Sequence, residues 1–476
     1  MNISYEINNE KKIVEVFNFY KDVAQLLVKE DISAGPKLIW VSVPNMGRVN
    51  YRLSMRSGTL MITELYNDLP DKLMQDSIKP CFLTCVKPEK NAYKYYKLIP
   101  EKDTILAEYG RMGTRKGELF GARTYRYPKS MFYLKYFEKI SKGYVDRSTL
   151  YLSEEPKPER NKEAQVSADS RPLSVSAKLF EKLKVLAKVA VREAKVNVPI
   201  TAAIIAESKR ILNQMYNTST VEQFNNLVLE LIAILQRPVQ TGDGTGVKRL
   251  LAESKTDFAR IIQRESDLIQ AMEGSYSGSD VNTVEDGFTK HKVEVYLATE
   301  KQKKQVMSHL ADSLKGKVKN VYRVIPTEQQ ERFNDYLKKN NIKKVMQLWH
   351  GSRNQNWLSI ILNSLKLNPD AIITGKMFGN GVYFAPLSMK SWNYTSYRGT
   401  SWAKGSADVA FMGLYAVAYG KPCDVNTWSA STDYEKMTTD SGCNCLHAHA
   451  GSALMNDEIV FYHEDAMVLN YIVEFE

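Results

Sequence analysis

The feature that most constrains the fold is a polar stretch that divides the chain, EEPKPERNKEAQVSADSRP, running from Glu154 to Pro172. Val166 is its one large apolar residue, and three of its residues are proline. Such a segment cannot bury enough apolar surface to order itself, which is typical of a solvated linker. We therefore expect separate domains on either side of it in this chain of 476 residues.

The hydrophobic period changes along the chain and indicates what each part folds into. Before the linker, short alternating runs and one helix-period run, Ser130–Tyr144, predict a small antiparallel β-sheet with a single helix. From about Lys292 onward, β-branched and aromatic residues return, which predicts a mainly β domain. Between these parts, long amphipathic stretches predict a helical bundle over Leu179–Val196, Ile200–Tyr216, Thr220–Gln236 and Val247–Met272.

The predicted fold class is therefore α+β with several domains. Residues 1–78 carry a predicted helix over Ile13–Val28 and an apparent strand over Leu38–Val43, and no role is assigned to them. The predicted parts after them are a β domain at 79–150, a linker at 151–172, a helical domain at 173–282 and a mainly β domain at 283–476.

The net charge of +11 is concentrated in one segment. Residues 80–147 hold 15 Lys and Arg against 7 Asp and Glu, whereas residues 350–476 hold 8 against 12. The basic segment also contains 13 of the 49 aromatic residues. Interleaved cations and aromatic rings suit a nucleic-acid backbone and its bases, and a solvated Lys-rich sheet over a Tyr-rich core is an equal alternative.

Two classes of protein are excluded by simple patterns. No stretch approaches the roughly 20 apolar residues of a membrane span, and the first residues lack the apolar core of a secretory signal. The five cysteines are too few and too unevenly placed for a disulfide framework. We therefore expect an intracellular protein without a membrane partner.

Three stretches of the last domain together resemble the signature of the poly(ADP-ribose) polymerase branch of ADP-ribosyltransferases. They are LWHGSRNQNW (Leu348 to Trp357), GKMFGNGVYFAPLSMKSWNY (Gly375 to Tyr394) and LMNDEIVFY (Leu454 to Tyr462). The resemblance implies that this domain breaks the bond between nicotinamide and ribose in NAD⁺. That reaction passes through an oxocarbenium-like transition state, which needs negative charge near the developing cation.

The resemblance assigns the chemistry to three residues, His350, Tyr383 and Glu458, as a His-Tyr-Glu set of the polymerising type. Glu458 would hydrogen-bond the nicotinamide ribose and orient the acceptor. Asp457 precedes it, and the family strand could be laid over either acid. Glu458 is favoured because the later residues then fall at family positions without a gap: Tyr462, Leu469 and Tyr471.

The remaining predicted NAD contacts also come from the resemblance. Gly351 leaves its backbone open to the nicotinamide carboxamide, and Ser391 would hydrogen-bond that group. Tyr394 would form the second aromatic wall of the pocket, opposite Tyr383. The predicted residues near the adenosine end are Ser352, Arg353, Asn356 and Lys366, the last of which stands where the family usually has Arg.

The basic segment contains EYGRMGTRKG (Glu108 to Gly117), which resembles the Trp-Gly-Arg module of DNA-dependent members of the same family. Tyr109 replaces the Trp of that module. The alternative from the residues alone is that Gly110 and Arg111 form an ordinary hairpin corner. The resemblance implies contact with DNA strand breaks through Tyr109, Arg111, Arg115, Lys116 and Arg123.

A soft-ligand cluster, SGCNCLHAHAG, precedes the Glu458 strand. Its alternate residues could meet a Zn²⁺ ion if they converged, but ligands at i and i+2 on one straight strand spread along it. An ordinary loop is therefore favoured, and no metal is expected. The residues concerned are Cys443, Cys445, His447 and His449.

The combined expectation is an NAD⁺-dependent protein poly-ADP-ribosyltransferase that is activated by DNA breaks and acts in the DNA damage response. Residues 173–282 resemble the family's autoinhibitory helical subdomain, which restricts NAD⁺ access until DNA-bound modules destabilise it. Proteins, including the chain itself, would be the acceptors, in the nucleus of a eukaryote and otherwise in the cytoplasm or nucleoid. The alternatives are a DNA-independent mono-ADP-ribosyltransferase and a non-catalytic scaffold that binds DNA ends.

Overall fold

The computed structural model divides the chain into two compact units. The first comprises Met1–Glu155 and Leu229–Arg249, and the second comprises Pro156–Val228 and Leu250–Glu476. The residues that the structure describes are 2–8, 13–20, 23–31, 37–43, 47–56, 59–64, 78–87, 92–112, 121–152, 173–237, 250–279, 287–367, 377–398, 405–451 and 454–476. Most of the predicted linker, from residue 153 to 172, lies outside them.

The first part of unit one consists of strands arranged in two antiparallel sheets, β1-β2-β3 and β4-β5-β6. The predicted helix over Ile13–Val28 is wrong, because β2 and β3 pair there. The sequence IVEVFNFY is rich in β-branched and aromatic residues, which favour a pleated strand over a helix. The strands are β1 (Asn2–Asn8), β2 (Ile13–Tyr20), β3 (Val23–Asp31), β4 (Lys37–Val43), β5 (Gly47–Arg56) and β6 (Thr59–Glu64).

A five-stranded antiparallel sheet follows in the order β10-β9-β8-β7-β11. Helix α1 (Phe132–Ser141) buries Phe132 and Tyr136, and the Tyr136 hydroxyl donates to Asp146 over 2.8 Å. The expected sheet and helix are present, and a short helix, α2 (Ser148–Tyr151), comes after them. The identification of this part as a Trp-Gly-Arg-like domain stays a prediction. The strands are β7 (Cys81–Lys87), β8 (Ala92–Pro100), β9 (Thr104–Arg111), β10 (Arg123–Pro128) and β11 (Val145–Asp146).

Four amphipathic helices follow the predicted linker. Ser174 and Thr201 cap the first two, because each hydroxyl oxygen accepts a backbone N–H of the first turn. Among the helices of the described ranges, none combines the length and apolar character that a bilayer crossing needs. The four are α3 (Val175–Glu193), α4 (Ala202–Tyr216), α5 (Val221–Ile234) and α6 (Phe258–Ser277).

The last of these helices begins later than the sequence predicts. The prediction placed a helix from Val247, whereas α6 begins at Phe258 after a short 3₁₀ turn. Ser254 and Asp257 form a capping box there, in which each side chain accepts the backbone N–H of the other residue. The helix-start signal of Ser254 and Asp257 therefore outweighs the apolar residues that precede it.

The rest of unit two contains a five-stranded sheet, β12-β13-β20-β16-β14, and a four-stranded sheet, β15-β19-β18-β17. Neighbouring strands are antiparallel except β17 and β18. The strands are β12 (Val293–Leu297), β13 (Val318–Pro326), β14 (Met346–Gly351), β15 (Val382–Phe384), β16 (Ala410–Val417), β17 (Pro422–Val425), β18 (Cys445–Ala448), β19 (Glu458–Phe461) and β20 (Met467–Phe475). The helices are α7 (Glu300–Ser308), α8 (Asp312–Lys315), α9 (Thr327–Lys339), α10 (Trp357–Asn363), α11 (Ser388–Trp392) and α12 (Tyr434–Asp440).

The main hydrophobic cluster of this part draws buried aliphatic and aromatic side chains from both sheets. Every residue of β16 is buried, which suits a central strand covered on both faces. Strand β18 occupies the stretch that the sequence assigned to an ordinary loop, so that prediction is wrong. Among the described residues from 287 to 476, the largest fully buried side chains are Trp349, Trp357, Phe288, Phe378, Phe384, Phe411 and Phe461.

Candidate active site

Three strands that lie side by side carry the three predicted catalytic residues. His350 is in β14, Tyr383 is in β15 and Glu458 is in β19. Strand β15 pairs with β19 on one side. On its other side it meets β14 through reciprocal backbone hydrogen bonds between Trp349 and Ala385, both 2.9 Å long. His350 and Glu458, which are 108 positions apart in sequence, are thus brought onto strands that flank β15.

The orientation of His350 is fixed by a hydrogen bond and by aromatic packing. Its Nδ1 lies 3.0 Å from the carbonyl oxygen of Tyr383. A carbonyl oxygen only accepts, so Nδ1 carries the proton and Nε2 of the neutral ring is the acceptor nitrogen. The ring of Phe384 packs 5.6 Å from the imidazole, centroid to centroid. An acceptor held in this way can receive a hydroxyl of a ribose.

Gly351 is required by a close approach between β14 and α11. A Cβ atom at this position would lie 1.9 Å from the backbone oxygen of Ser391, so no side chain fits without moving backbone. Ser391 is buried, and its hydroxyl donates to the carbonyl oxygen of Trp349 over 3.0 Å. The predicted carboxamide-binding pair, Gly351 and Ser391, is therefore in direct contact. The hydroxyl oxygen of Ser391 retains its capacity to accept a hydrogen bond.

Tyr383 and Tyr394 both lie close enough to Glu458 to sense its charge. Burial raises the pKa of Tyr383, and the Glu458 carboxylate raises it further against the opposing hydrogen bond from Phe378. Burial followed by the Glu458 charge also raises the pKa of Tyr394, whose side chain remains 43% exposed. The Tyr383 hydroxyl donates to the carbonyl oxygen of Gly379 over 2.9 Å, which fixes the ring. The two predicted aromatic walls thus share one carboxylate as a neighbour.

Lys390 is the ion-pair partner of Glu458, and it was not among the predicted site residues. Its Nζ lies 2.8 Å from Glu458 Oε1, and it also donates to the carbonyl oxygen of Asn456 over 2.8 Å. The two side chains are only 13% and 12% exposed. A carboxylate in such surroundings needs a partner. The available signal was that Lys390 is the one cation within the predicted stretch SMKSWNY, beside Ser391.

The two neighbouring acids have different surroundings. Asp457 Oδ1 accepts the backbone N–H of Ala450 over 2.7 Å, and Oδ2 lies 3.0 Å from Nε2 of His447. Of the two carboxylates, Glu458 is the one that pairs with Lys390 and whose charge raises the pKa of Tyr383 and Tyr394.

The predicted adenosine end is in contact with the helical segment of unit two. Asn356 is buried, and its Nδ2 donates to Ser352 Oγ over 3.1 Å and to Asp267 Oδ1 over 2.9 Å. Asp267 belongs to α6. Its burial raises the pKa of this carboxyl despite the opposing hydrogen bonds from Asn356 and Gln263. Within the described part of the chain, Oδ1 of Asn356 is a buried polar atom with no partner, which suits a ligand donor.

A second pair of residues joins α6 to α10. Ser359 donates to Glu273 Oε2 over 2.8 Å, and a Cβ atom at Gly274 would lie 3.2 Å from the backbone nitrogen of Ser359. Helix α3 is tied to the last strand by an ion pair between Lys182 and Glu474. The sequence offered no local signal for any of these contacts, since each joins residues far apart in the chain.

Lys366 and Arg353 are engaged with other protein groups. Lys366 lies just after α10 and is 52% exposed, and its Nζ pairs with Glu464 Oε2 at 2.9 Å. Arg353 donates to the carbonyl oxygen of Thr395 over 2.8 Å. The predicted contact of Lys366 with NAD⁺ would compete with its surface ion pair, so it stays a prediction without geometric support.

The predicted DNA residues have unequal exposure. Arg123 is exposed on β10 and is the cross-strand partner of Tyr109 on β9. Arg111 is half-buried, with its guanidinium carbon 5.3 Å above the ring of Tyr93, and burial lowers its pKa. A Cβ atom at Gly110 would lie 3.1 Å from the backbone of Gly121, which explains a glycine there. Arg115 and Lys116 lie outside the described residues.

Comparison with known proteins gives a match that contains all three strands of the site. Residues 292–476 match the family model of the poly(ADP-ribose) polymerase catalytic domain. The chain is 27% identical over 176 residues to the poly(ADP-ribose) polymerase-like protein 100L of Invertebrate iridescent virus 6. It is 56% identical over 50 residues to poly(ADP-ribose) polymerase 2 of Homo sapiens, and 43% identical over 75 residues to poly(ADP-ribose) polymerase 2 of Zea mays.

The matched lengths differ among these relatives. The alignment with the viral protein covers 35% of this chain and 92% of that protein. The alignment with the human protein covers 10% of this chain and 9% of that protein, and the maize alignment covers 16% and 11%. The alignment thus spans nearly the whole length of the viral relative but only a short part of the human and maize proteins.

Proposed function

We propose that this chain, whose residues 292–476 match the poly(ADP-ribose) polymerase catalytic domain, is a member of that family, and that it transfers ADP-ribose from NAD⁺ to proteins and elongates the product into polymer. His350, Tyr383 and Glu458 carry the reaction in this proposal. The observation that supports it most strongly is the placement of these residues on three adjacent strands, with Glu458 the acid that faces the tyrosines.

The groups predicted to contact NAD⁺ are suited to binding it. His350 presents an acceptor nitrogen to a ribose hydroxyl. Gly351 and Ser391 offer backbone and hydroxyl groups to the carboxamide of nicotinamide. Tyr383 and Tyr394 enclose the ring between them, and the unpartnered Oδ1 of Asn356 offers an acceptor near the adenosine end. Each of these contacts uses a group that is already oriented, so little side-chain entropy is lost on binding.

The chemical step breaks the C1′–N bond between ribose and nicotinamide, and the bonding electron pair leaves with nicotinamide. Positive charge develops on the ribose, and the Glu458 carboxylate stabilises it through the 2′-hydroxyl. The acceptor oxygen then attacks C1′, and its proton is taken up by Glu458 as general base. Lys390 holds the carboxylate at 2.8 Å and so positions it for both roles.

The helical segment over residues 173–279 acts as a gate in the same proposal. Asp267 and Glu273 of α6 bind Asn356 and Ser359, which flank the adenosine end. A helix held there limits access of NAD⁺, and any event that loosens it shifts the population toward the open state. DNA breaks bound at the basic sheet would be that event.

The basic sheet is proposed as the DNA sensor because charge and aromatic rings coincide on its surface. Strand β10 is the edge of the sheet, and it exposes Arg123, Arg126 and Tyr125, the last by 56%. Arg126 is partly engaged by an ion pair with Glu101. An exposed cation beside an exposed ring suits the phosphate and base of a broken strand.

The decisive experiment incubates the purified chain with labelled NAD⁺, with and without nicked DNA, and resolves the products on a gel. A ladder or smear of modified protein that DNA intensifies supports the proposal. A single modified band would favour mono-ADP-ribosyl transfer, and equal labelling in both samples would contradict the DNA gate. Absence of NAD⁺ turnover in both samples would leave a DNA-binding scaffold as the better explanation.

A further inference from the structure

A cluster of two histidines and two aspartates lies outside the proposed NAD⁺ site, on the four-stranded sheet. Strands β17 and β18 are parallel there, and Asp424 is the register partner of His447. His449 follows the end of β18, and its backbone N–H donates to the carbonyl oxygen of Val425 over 2.9 Å. Strand β17 therefore places Asp424 beside His447 and His449, which share one face of the sheet.

This arrangement changes the conclusion drawn from the sequence. Two histidines at i and i+2 do not converge on one strand, but the carboxylate of Asp424 closes the set from β17. One ligand atom from each of Asp424, His447 and His449 lies within 4.8 Å of the other two. The cysteines of the motif are not members: Cys445 donates to the carbonyl oxygen of Tyr419 over 3.3 Å, and Cys443 lies 3.8 Å from that of Ser441.

The separations between ligand atoms bracket those of a tetrahedral site. Asp424 Oδ1 accepts a hydrogen bond from His449 Nε2 over 2.8 Å and lies 4.0 Å from His447 Nδ1, so a bound ion would replace the Nε2 proton of His449. Zinc bonds of about 2.0–2.1 Å place tetrahedral ligand atoms about 3.3 Å apart. The Asp424 side chain is 55% exposed, and a change of less than an ångström in its distance to each histidine would reach that spacing.

The protein already orients His447 as a metal ligand would be oriented. Asp457 Oδ2 lies 3.0 Å from Nε2, and a carboxylate only accepts, so that nitrogen carries the proton in the neutral ring. Nδ1 then carries the ring's lone pair on the side of Asp424, where it accepts the Tyr419 hydroxyl over 2.8 Å, so an ion at Nδ1 would take the place of that hydrogen bond. Ligating histidines commonly hold their second ring nitrogen on a carboxylate in this way.

The two histidine rings lie close together. They are stacked with centroids 4.0 Å apart and planes at 29°. One ion can therefore be shared by both rings and by the Asp424 carboxylate.

We propose that Asp424, His447 and His449 bind one divalent transition-metal ion of the Zn²⁺ class, with Asp457 as the carboxylate that orients His447. The ion would tie β17 to β18 and brace the sheet that carries Glu458 in its next strand, β19. Its role is structural, and it does not depend on the proposed transferase activity.

The test measures metal binding directly on the full chain after treatment with a chelator. Calorimetric titration with Zn²⁺ and visible absorption after titration with Co²⁺ should both show one ion bound per chain. Asp424→Asn and His449→Ala should each weaken Zn²⁺ binding by about 10-fold or more. His309→Ala removes an exposed histidine elsewhere and should keep wild-type affinity. Circular dichroism and thermal unfolding of the metal-free variants check that each one folds.

Two results would overturn the proposal. One is a wild-type chain that binds no Zn²⁺, or an His449→Ala variant that binds it as well as wild type. The other is loss of binding in Cys443→Ser, which keeps all three ligands, together with retention in Asp424→Asn, because the ion would then belong to the cysteines. A rise in the melting temperature of wild type with Zn²⁺, absent from His449→Ala, supports the proposal independently.

Discussion

Lys390 Nζ lies 2.8 Å from Glu458 Oε1, and this ion pair is nearly enclosed, with exposures of 13% and 12%. The lysine comes from α11 and the glutamate from the first position of β19, so the contact joins two parts of the candidate site. The same ammonium donates to the carbonyl oxygen of Asn456. Lys390 therefore fixes both the side chain of Glu458 and the backbone that leads into its strand.

Replacing Lys390 by methionine should lower kcat for ADP-ribosyl transfer more than it raises KM for NAD⁺, because the carboxylate loses its positioning partner. It should also lower the free energy of unfolding by roughly 3 kcal/mol, since one member of an enclosed pair is removed. Lys390→Arg should restore part of the activity. Lys301→Met, at an exposed site on α7, is the matched control. An unchanged kcat in Lys390→Met would contradict this role.

Glu458→Gln should reduce polymer formation by about 100-fold or more while leaving NAD⁺ affinity nearly unchanged. The amide keeps the shape of the side chain but neither stabilises the ribose cation nor accepts the proton. Labelled polymer on a gel and NAD⁺ binding by calorimetry measure the two effects separately. Asp457→Asn changes the adjacent acid, which faces His447 instead. If that variant loses polymer and Glu458→Gln keeps it, the assignment of the catalytic acid is wrong.

Asp267→Ala should raise the activity without DNA by about 5-fold or more, because Asn356 Nδ2 loses the acceptor that holds α6 against the adenosine end. Asp267→Asn is the matched variant, since its amide oxygen can still accept from Asn356. Asp267→Asn also removes a buried carboxyl group, whose pKa is raised by its burial. This variant should therefore stabilise the closed state, and it should not raise the activity without DNA. Turnover of NAD⁺ with and without nicked DNA measures both. Equal basal rates in all three proteins would argue against the gate.

The sequence predicted the three site stretches because each carries its motif within a few residues of one strand or helix. It also favoured Glu458 over Asp457 as the catalytic acid from the family spacing, and that assignment stays a prediction; in the structure Glu458 pairs with Lys390, whereas Asp457 contacts Ala450 and His447. It could not predict Lys390 as the partner of Glu458, nor Asp267 as the acceptor for Asn356, because those contacts join distant segments. Such pairings are decided by tertiary packing, which leaves no local pattern.

The errors in the fold have the same origin. Apolar residues over Ile13–Val28 occur often enough to suggest a helix, but strand pairing between β2 and β3 decides the outcome. The stretch around His447 looked like a loop in isolation, and its strand exists because β17 and β19 lie on either side of it. In both cases the partner strand, which no single window contains, determines the structure.

Glu474 should make the free energy of unfolding of the second unit depend on pH below about 4.3, which is the ordinary pKa of a glutamate side chain. Burial tends to raise the pKa of Glu474, but hydrogen bonds from Asn320, Lys182 and Tyr322 outweigh it and hold the pKa below that value. A lowered folded-state pKa adds stability above the unfolded pKa, and this stability is lost as pH falls through the folded pKa. Glu474→Gln should therefore cost roughly 3 kcal/mol at pH 7 and progressively less below pH 4. Urea unfolding across this range measures the difference, with exposed Glu476→Gln as control. A constant difference at every pH would refute the linkage.

Arg123→Ala should weaken binding to nicked DNA and reduce the slope of log affinity against log salt by about 1, as expected for the loss of one phosphate contact. Arg123 is exposed on the edge strand β10. Arg111→Ala should abolish DNA stimulation of NAD⁺ turnover, and its effect on affinity should exceed that of a simple charge loss, because the half-buried guanidinium also packs over Tyr93. Fluorescence anisotropy with labelled DNA at several salt concentrations measures the first effect, and NAD⁺ turnover measures the second. Arg332→Ala, on α9 of the second unit, removes the same charge far along the chain and serves as control. If Arg332→Ala weakens DNA binding as much as Arg123→Ala, binding follows net charge alone and β10 is not the DNA surface.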